Sequence, residues 1–117
     1  MDKDVGYYLR TQESAEALCA YYRIKCLFIL QPLAVLESTP TGSTEAIVQE
    51  DAKYFPHDHE IFSRGYELIR KVHGEHYLDA SQLLENLPDA YIANAHLSKV
   101  GNATLGRSFY SAVKSSE

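Results

Sequence analysis

The residues best suited to chemistry lie late in the chain, in Tyr91-Ile92-Ala93-Asn94-Ala95-His96-Leu97-Ser98-Lys99-Val100-Gly101-Asn102. An apolar entry runs into a small polar loop that carries His96, and a helical pattern starts directly after it. A strand-to-loop-to-helix junction is where α/β sheets hold ligands and reacting groups, so His96 stands where a general base would. Such a base needs a carboxylate or similar group to orient it and a nucleophile to serve. Asp79, Asp89, Ser81 and Ser98 are the nearest candidates. Asp79 and Ser81 read better as the cap of a short helix and Ser98 as the cap of the last helix. Asp89 would have to reach His96 around the loop.

A second group, His57-Asp58-His59, has metal-ligating side chains, but positions i and i+2 diverge on a helix. Solvated side chains at a helix start are the expectation, and no metal or cofactor site is expected. His73 and His76 flank Gly74 at the far end of that helix, where the helix dipole alone favours a cationic imidazole.

The elements that must position these groups follow from periodicity. Residues 5–23 predict a helix, with Val5, Tyr8, Leu9, Ala15, Leu18, Cys19 and Tyr22 recurring at three- and four-residue steps. The tyrosine pairs at 7–8 and 21–22 are expected to pack. Cys26-Leu27-Phe28-Ile29-Leu30 is a continuous apolar run closed by Pro32, which predicts a central parallel strand buried on both faces. Residues 33–55 predict a long excursion with a turn at Thr39–Thr44 and a short helix over Glu45–Lys53. Pro56 suits the first position of a further helix, with Ile61, Phe62, Gly65, Leu68, Ile69 and Val72 as its buried stripe and Gly74 as its stop. His76–Asp79 predicts a second strand, Gln82–Asn86 a short helix ended by Pro88, and Ala90–Ile92 a third strand or an extended lead-in. The last helix is expected over Ser98–Val113, buried through Val100, Thr104, Leu105, Phe109 and Val113. Gly101 and Gly106 would be tolerated there through close packing on the sheet.

At 117 residues, the whole of 1–117 predicts one domain. The formal net charge is −5, and residues 37–60 alone carry −5, from Glu37, Glu45, Glu50, Asp51, Asp58 and Glu60 against Lys53. An acidic chain without a basic stripe argues against nucleic-acid or anionic-membrane partners. No apolar run is long enough for a membrane span. Met1-Asp2-Lys3-Asp4 is charged with no apolar core behind it, so no signal peptide and a cytoplasmic location are expected. Cys19 and Cys26 are therefore expected as reduced, buried thiols rather than a disulfide.

Several of these stretches, in order, resemble the C-terminal half of an SGNH (GDSL-type) hydrolase. Phe28-Ile29-Leu30-Gln31-Pro32 resembles a strand with a Leu-Gln-Pro ending found in one branch of that superfamily. Tyr77-Leu78-Asp79-Ala80-Ser81 resembles the next strand and its Asp-x-Ser turn, and His96-Leu97-Ser98-Lys99-Val100-Gly101-Asn102 resembles the block that carries the catalytic histidine. The resemblance implies a partial flavodoxin-like three-layer α/β sandwich with a small parallel sheet of two to three strands. It also implies ester hydrolysis by a serine nucleophile, on acyl or acetyl groups, with His96 in the place of the catalytic histidine.

The departures decide the functional expectation. The family's aspartate stands three residues before the histidine, and here that position is Ala93. No Gly-Asp-Ser block and no Gly-x-Asn turn occur in the chain. Replacing the triad acid by an amide costs about 10⁴ in rate in a serine protease, and each lost oxyanion donor costs a further ~10²–10³. The expectation is thus a non-catalytic domain that retains His96 and self-associates, as a homodimer. The alternative is part of a serine esterase, whether a fragment, an inactivated variant, or a chain completed by another polypeptide.

Overall fold

The first helix, α1, runs over Asp2–Tyr22 in the computed structural model, which describes residues 2–72 and 77–115. Its N-terminal half packs on a later helix through Val5, while the apolar residues of its C-terminal half stay out. Leu18 is 59 % exposed and Tyr21 79 %. The expectation that the tyrosine pairs pack is corrected here: Tyr7, Tyr8, Tyr21 and Tyr22 are all exposed, and Gln12 is buried in their stead. Periodicity marks which residues share a face, and it does not say whether anything covers that face.

The end of α1 also overturns the cysteine expectation. Arg23 takes the left-handed conformation (φ 56°), with the Ile24 N–H donating to the Cys19 carbonyl (2.8 Å) and the Arg23 N–H to that of Ala20 (3.2 Å). These two bonds are the Schellman closure that glycine usually provides. The chain doubles back, and Cys26 comes beside Cys19, Cα to Cα 6.3 Å, as a disulfide. Both residues are half-buried rather than sealed in the core.

Strand β1, Phe28–Leu30, pairs in parallel with β2, Tyr77–Asp79, in the register Phe28–Tyr77, Ile29–Leu78 and Leu30–Asp79. Between them lie a 3-10 turn at Ala34–Leu36 and two helices, α2 (Ser43–Tyr54) and α3 (Asp58–Val72). That is a parallel β–α–β crossover. The sheet has two strands among the described residues, so β1 is an edge rather than a central strand. Its core comprises Leu30, Leu33, Val35, Tyr66 and Ile69, with Val5, Phe62 and Tyr77 packed against them. The Tyr66 hydroxyl donates to the Gln31 carbonyl (2.9 Å), which explains how a tyrosine joins this core.

After β2 the expected helix over 82–86 is replaced by overlapping turns. The Leu83, Glu85 and Leu87 N–H groups each donate to the carbonyl three residues back, and Asn86 sits at φ 63°. Asp79 accordingly caps no helix; its carboxylate takes the Ser81 N–H (3.0 Å) in a local turn. Then β3, Tyr91–Ala93, pairs antiparallel with β4, His96–Leu97. This hairpin is the largest departure from expectation, since the stretch around His96 is no crossover loop and β3 joins no parallel sheet. Helix α4, Lys99–Ser115, closes the chain. The Ser98 Oγ accepts the Gly101 N–H (3.2 Å) as its cap.

A second core of Ala34, Leu84, Ala90 and Tyr91, joined by Ile47, Val48 and Leu97, ties the hairpin to α2. The protein is a small mixed α/β domain, with two two-stranded sheets among the described residues. No helix among the described residues is long and apolar enough to cross a membrane.

Candidate functional site

The hairpin that carries His96 is fixed by backbone groups. Asn94 receives the Ala34 N–H on its carbonyl (2.9 Å) and the Val35 N–H on its side-chain oxygen (3.1 Å), so the hairpin tip is pinned to the chain leaving β1. The Ser98 N–H donates to the Ala90 carbonyl (2.9 Å) at the other end. His96 sits between these anchors on a strand, with its side chain exposed. Its cross-strand partner in register is Ala93, the residue at the position where the resemblance implies an aspartate. A methyl group faces the imidazole where a carboxylate would orient it. Among the described residues the ring makes no hydrogen bond.

The other candidates are held elsewhere. Asp89, at φ 55°, takes the Ser43 hydroxyl (2.7 Å) at the start of α2. Ser98 is spent on the α4 cap. Ser81 is 3 % exposed, and its Oγ accepts from an Arg70 Nη (2.7 Å). Asp79 accepts from the Arg70 Nε (2.6 Å) as well as the Ser81 N–H. Burial works to raise the Asp79 carboxyl, but hydrogen bonds from Ser81 and Arg70, with the guanidinium charge, hold it below the usual carboxylate range. Asp79 and Ser81 are thus together, as the sequence order suggests, and apart from His96. They line a polar cleft of about 450 Å³ with Arg70, Gln82 and Leu83. It lies at the carboxyl end of the parallel pair, where α/β folds bind ligands. In it Arg70 is neutralised by Asp79, so the cleft offers N–H and O–H donors without net positive charge.

The histidines near α3 stand apart too. His59 hydrogen-bonds the Val35 carbonyl through Nδ1 (2.6 Å), a structural contact, and His57 is exposed. No group of three metal-ligating side chains occurs among the described residues. His73 and His76 lie outside the described residues.

One cluster carries no sequence signal. Glu37, directly after the 3-10 turn, is 7 % exposed and lies near Glu85 and the Tyr91 hydroxyl. Burial first, then the Glu85 charge, pushes its carboxyl up to about 7, against a small lowering by Tyr91. Glu85 binds the Ser38 and Thr39 N–H groups through Oε1 (2.8 and 3.1 Å). Glu37 Oε1, Glu85 Oε2 and the Tyr91 hydroxyl have no well-formed hydrogen bond among the described residues. In the sequence Glu37 is one acid of an acidic stretch. Its burial depends on the turn at Ala34–Leu36 folding it under the loop at Glu85.

No family model, curated protein or solved structure matches the chain.

Proposed function

We propose that this is a non-catalytic α/β domain related in layout to the C-terminal half of an SGNH hydrolase, and that it works by associating with a second copy of itself. The observation that carries the non-catalytic reading is the state of His96. The ring is exposed, a methyl group faces it across the hairpin, and every nearby acid or hydroxyl named above is bonded elsewhere. A base without an orienting partner or a nucleophile has nothing to activate.

Association is supported by surface. β1 and β2 each present an unpaired edge among the described residues, and such edges invite pairing. Leu18, Tyr21, Tyr54, Phe55, Ile92 and Tyr110 are all more than half exposed. The three-layer flavodoxin-like sandwich is part of this proposal: the parallel pair would be the remnant of its central sheet. A cytoplasmic location belongs to the proposal as well.

The same open edges favour a second reading, in which another polypeptide adds strands and supplies a serine and oxyanion donors. A short-chain aryl ester assay on the chain and on His96→Ala, with sedimentation of the purified chain, tests both. Equal background rates and a dimer support the proposal. Hydrolysis by the chain that His96→Ala abolishes would refute the non-catalytic reading. A monomer that gains activity only with a co-purifying chain would favour the second.

A further inference from the structure

The surface beside the hairpin carries an apolar groove with an acidic rim. It holds about 310 Å³ between the end of α2 and β3, lined by Ile47, Tyr54, Phe55 and Ile92, with Glu50 and Asp51 on its edge. Tyr54 is 71 % exposed, Phe55 59 % and Ile92 69 %. Exposed apolar groups gathered in a rimmed groove mark an interaction site more strongly than the same groups scattered. The rim is rich in carboxylates. Glu50 pairs with Lys53 (2.5 Å), whereas Asp51 lies beside another acid, Asp58, and burial together with that neighbour pushes its carboxyl up. An added cation would relieve that repulsion.

The chain itself contains the complementary surface. Helix α4 holds three cations, Lys99, Arg107 and Lys114, and no acid, in a protein whose net charge is −5. Val100, Ala103, Arg107, Tyr110 and Lys114 recur at steps of three and four, so they form one stripe, and all five are exposed. Tyr110 is 66 % exposed and Val100 49 %. The helix is anchored to its own hairpin at one end, through Gly101, and its outward stripe is both apolar and basic. The groove has room for a tyrosine ring.

We infer that α4 of one copy docks into the α2–β3 groove of a second, Tyr110 entering between Phe55 and Ile92 and Arg107 meeting the Asp51–Asp58 rim. This rests on the self-association proposed above and names its surface. In a two-fold dimer the contact is reciprocal, each copy giving one helix and one groove. Charge complementarity sets partner and register, and the apolar stripe supplies the burial.

The test is sedimentation equilibrium of the 117-residue chain with Arg107→Glu, Tyr110→Asp, Asp51→Lys, and Arg107→Glu combined with Asp51→Lys. Circular dichroism checks each fold. A two-fold dimer meets every substitution twice, so each single change is expected to weaken dimerisation about tenfold or more. The charge-swapped pair is expected to recover most of that loss. If Asp51→Lys fails to fold, Arg107→Glu and Tyr110→Asp, both exposed, still decide whether α4 is at the interface. A dimer indifferent to both refutes this interface and leaves self-association standing. A dimer weakened by both but not rescued by the swap refutes the groove as the acceptor of α4. A wild-type monomer refutes the interface and the self-association reading together, and leaves the groove to another occupant.

Discussion

Gly101 and Gly106 form a matched pair in one helix, and replacing each by alanine separates packing from propensity. A Cβ at Gly101 would lie closer than 3.0 Å to the Ala90 carbonyl oxygen, and 3.2 Å from both the Ala90 carbonyl carbon and the Leu97 Cβ. The main obstacle is backbone, and that carbonyl already accepts the Ser98 N–H. Neither α4 nor the hairpin can yield without disturbing the cap of the helix. Overpacking of this kind costs about 1–3 kcal/mol, here toward the upper end because the obstacle is not a flexible side chain. Alanine returns about 1 kcal/mol of helix propensity. Gly101→Ala should therefore destabilise the domain by a net ~2 kcal/mol. A Cβ at Gly106 meets nothing within 4 Å, so Gly106→Ala should stabilise by up to ~1 kcal/mol. Urea unfolding followed by circular dichroism reads both as opposite shifts of the midpoint at constant slope. If Gly101→Ala is neutral or stabilising, the seat of α4 on the hairpin is wrong, and with it the placement of His96.

Two further outcomes follow from the same chain. Glu37 has a folded-state carboxyl raised from 4.5 to about 7. A raised value means the folded state holds the proton more tightly, so its stabilising effect is complete below about 4.5 and is lost as pH rises through 7. The loss is on the order of 2–3 kcal/mol, and denaturant titrations at pH 5 and 8 should show it in the natural chain and not in Glu37→Gln. Equal slopes in the two proteins would contradict the burial of Glu37. Removing the Cys19–Cys26 bond frees a loop of about eight residues, which corresponds to roughly 2–3 kcal/mol by loop entropy. The midpoint should fall on reduction and match that of the Cys19→Ser, Cys26→Ser double variant; no change would mean the ends of α1 and β1 hold their places without the bond.

The helices were legible because their signals are local. Four helices stand near where periodicity and Ser98 predict them, although the faces expected to be buried are exposed at Leu18 and Tyr22 of α1 and at Val100 and Val113 of α4. The expected stripe of α3 holds at Phe62 and Ile69, fails at Ile61 and Val72, which are exposed, and omits Tyr66, whose burial depends on the Gln31 carbonyl reaching its hydroxyl. The hairpin was not legible. Asn94-Ala95 lacks the Asn-Gly signature of a tight turn, and its geometry comes from Ala34 and Val35, nearly sixty residues away. The disulfide is not legible in the sequence because it depends on Arg23 adopting a conformation that the sequence would sooner assign to glycine. At the candidate site the sequence singles out Ala93 and His96 as a pair. It placed them on a loop, whereas they face each other across a hairpin. The partners of Asp89 and Glu37, and the Arg70 contact of Ser81, lie outside their own neighbourhoods in the sequence, and nothing local announces them.

The most direct test of the non-catalytic reading is reaction of the purified chain with a serine-directed fluorophosphonate, read by intact mass. Without a base to activate a serine, the mass of the chain should remain that of the unmodified protein under conditions that fully label a serine esterase. A single stoichiometric adduct on a serine, lost in His96→Ala, would show an assembled nucleophile–base pair and contradict the account.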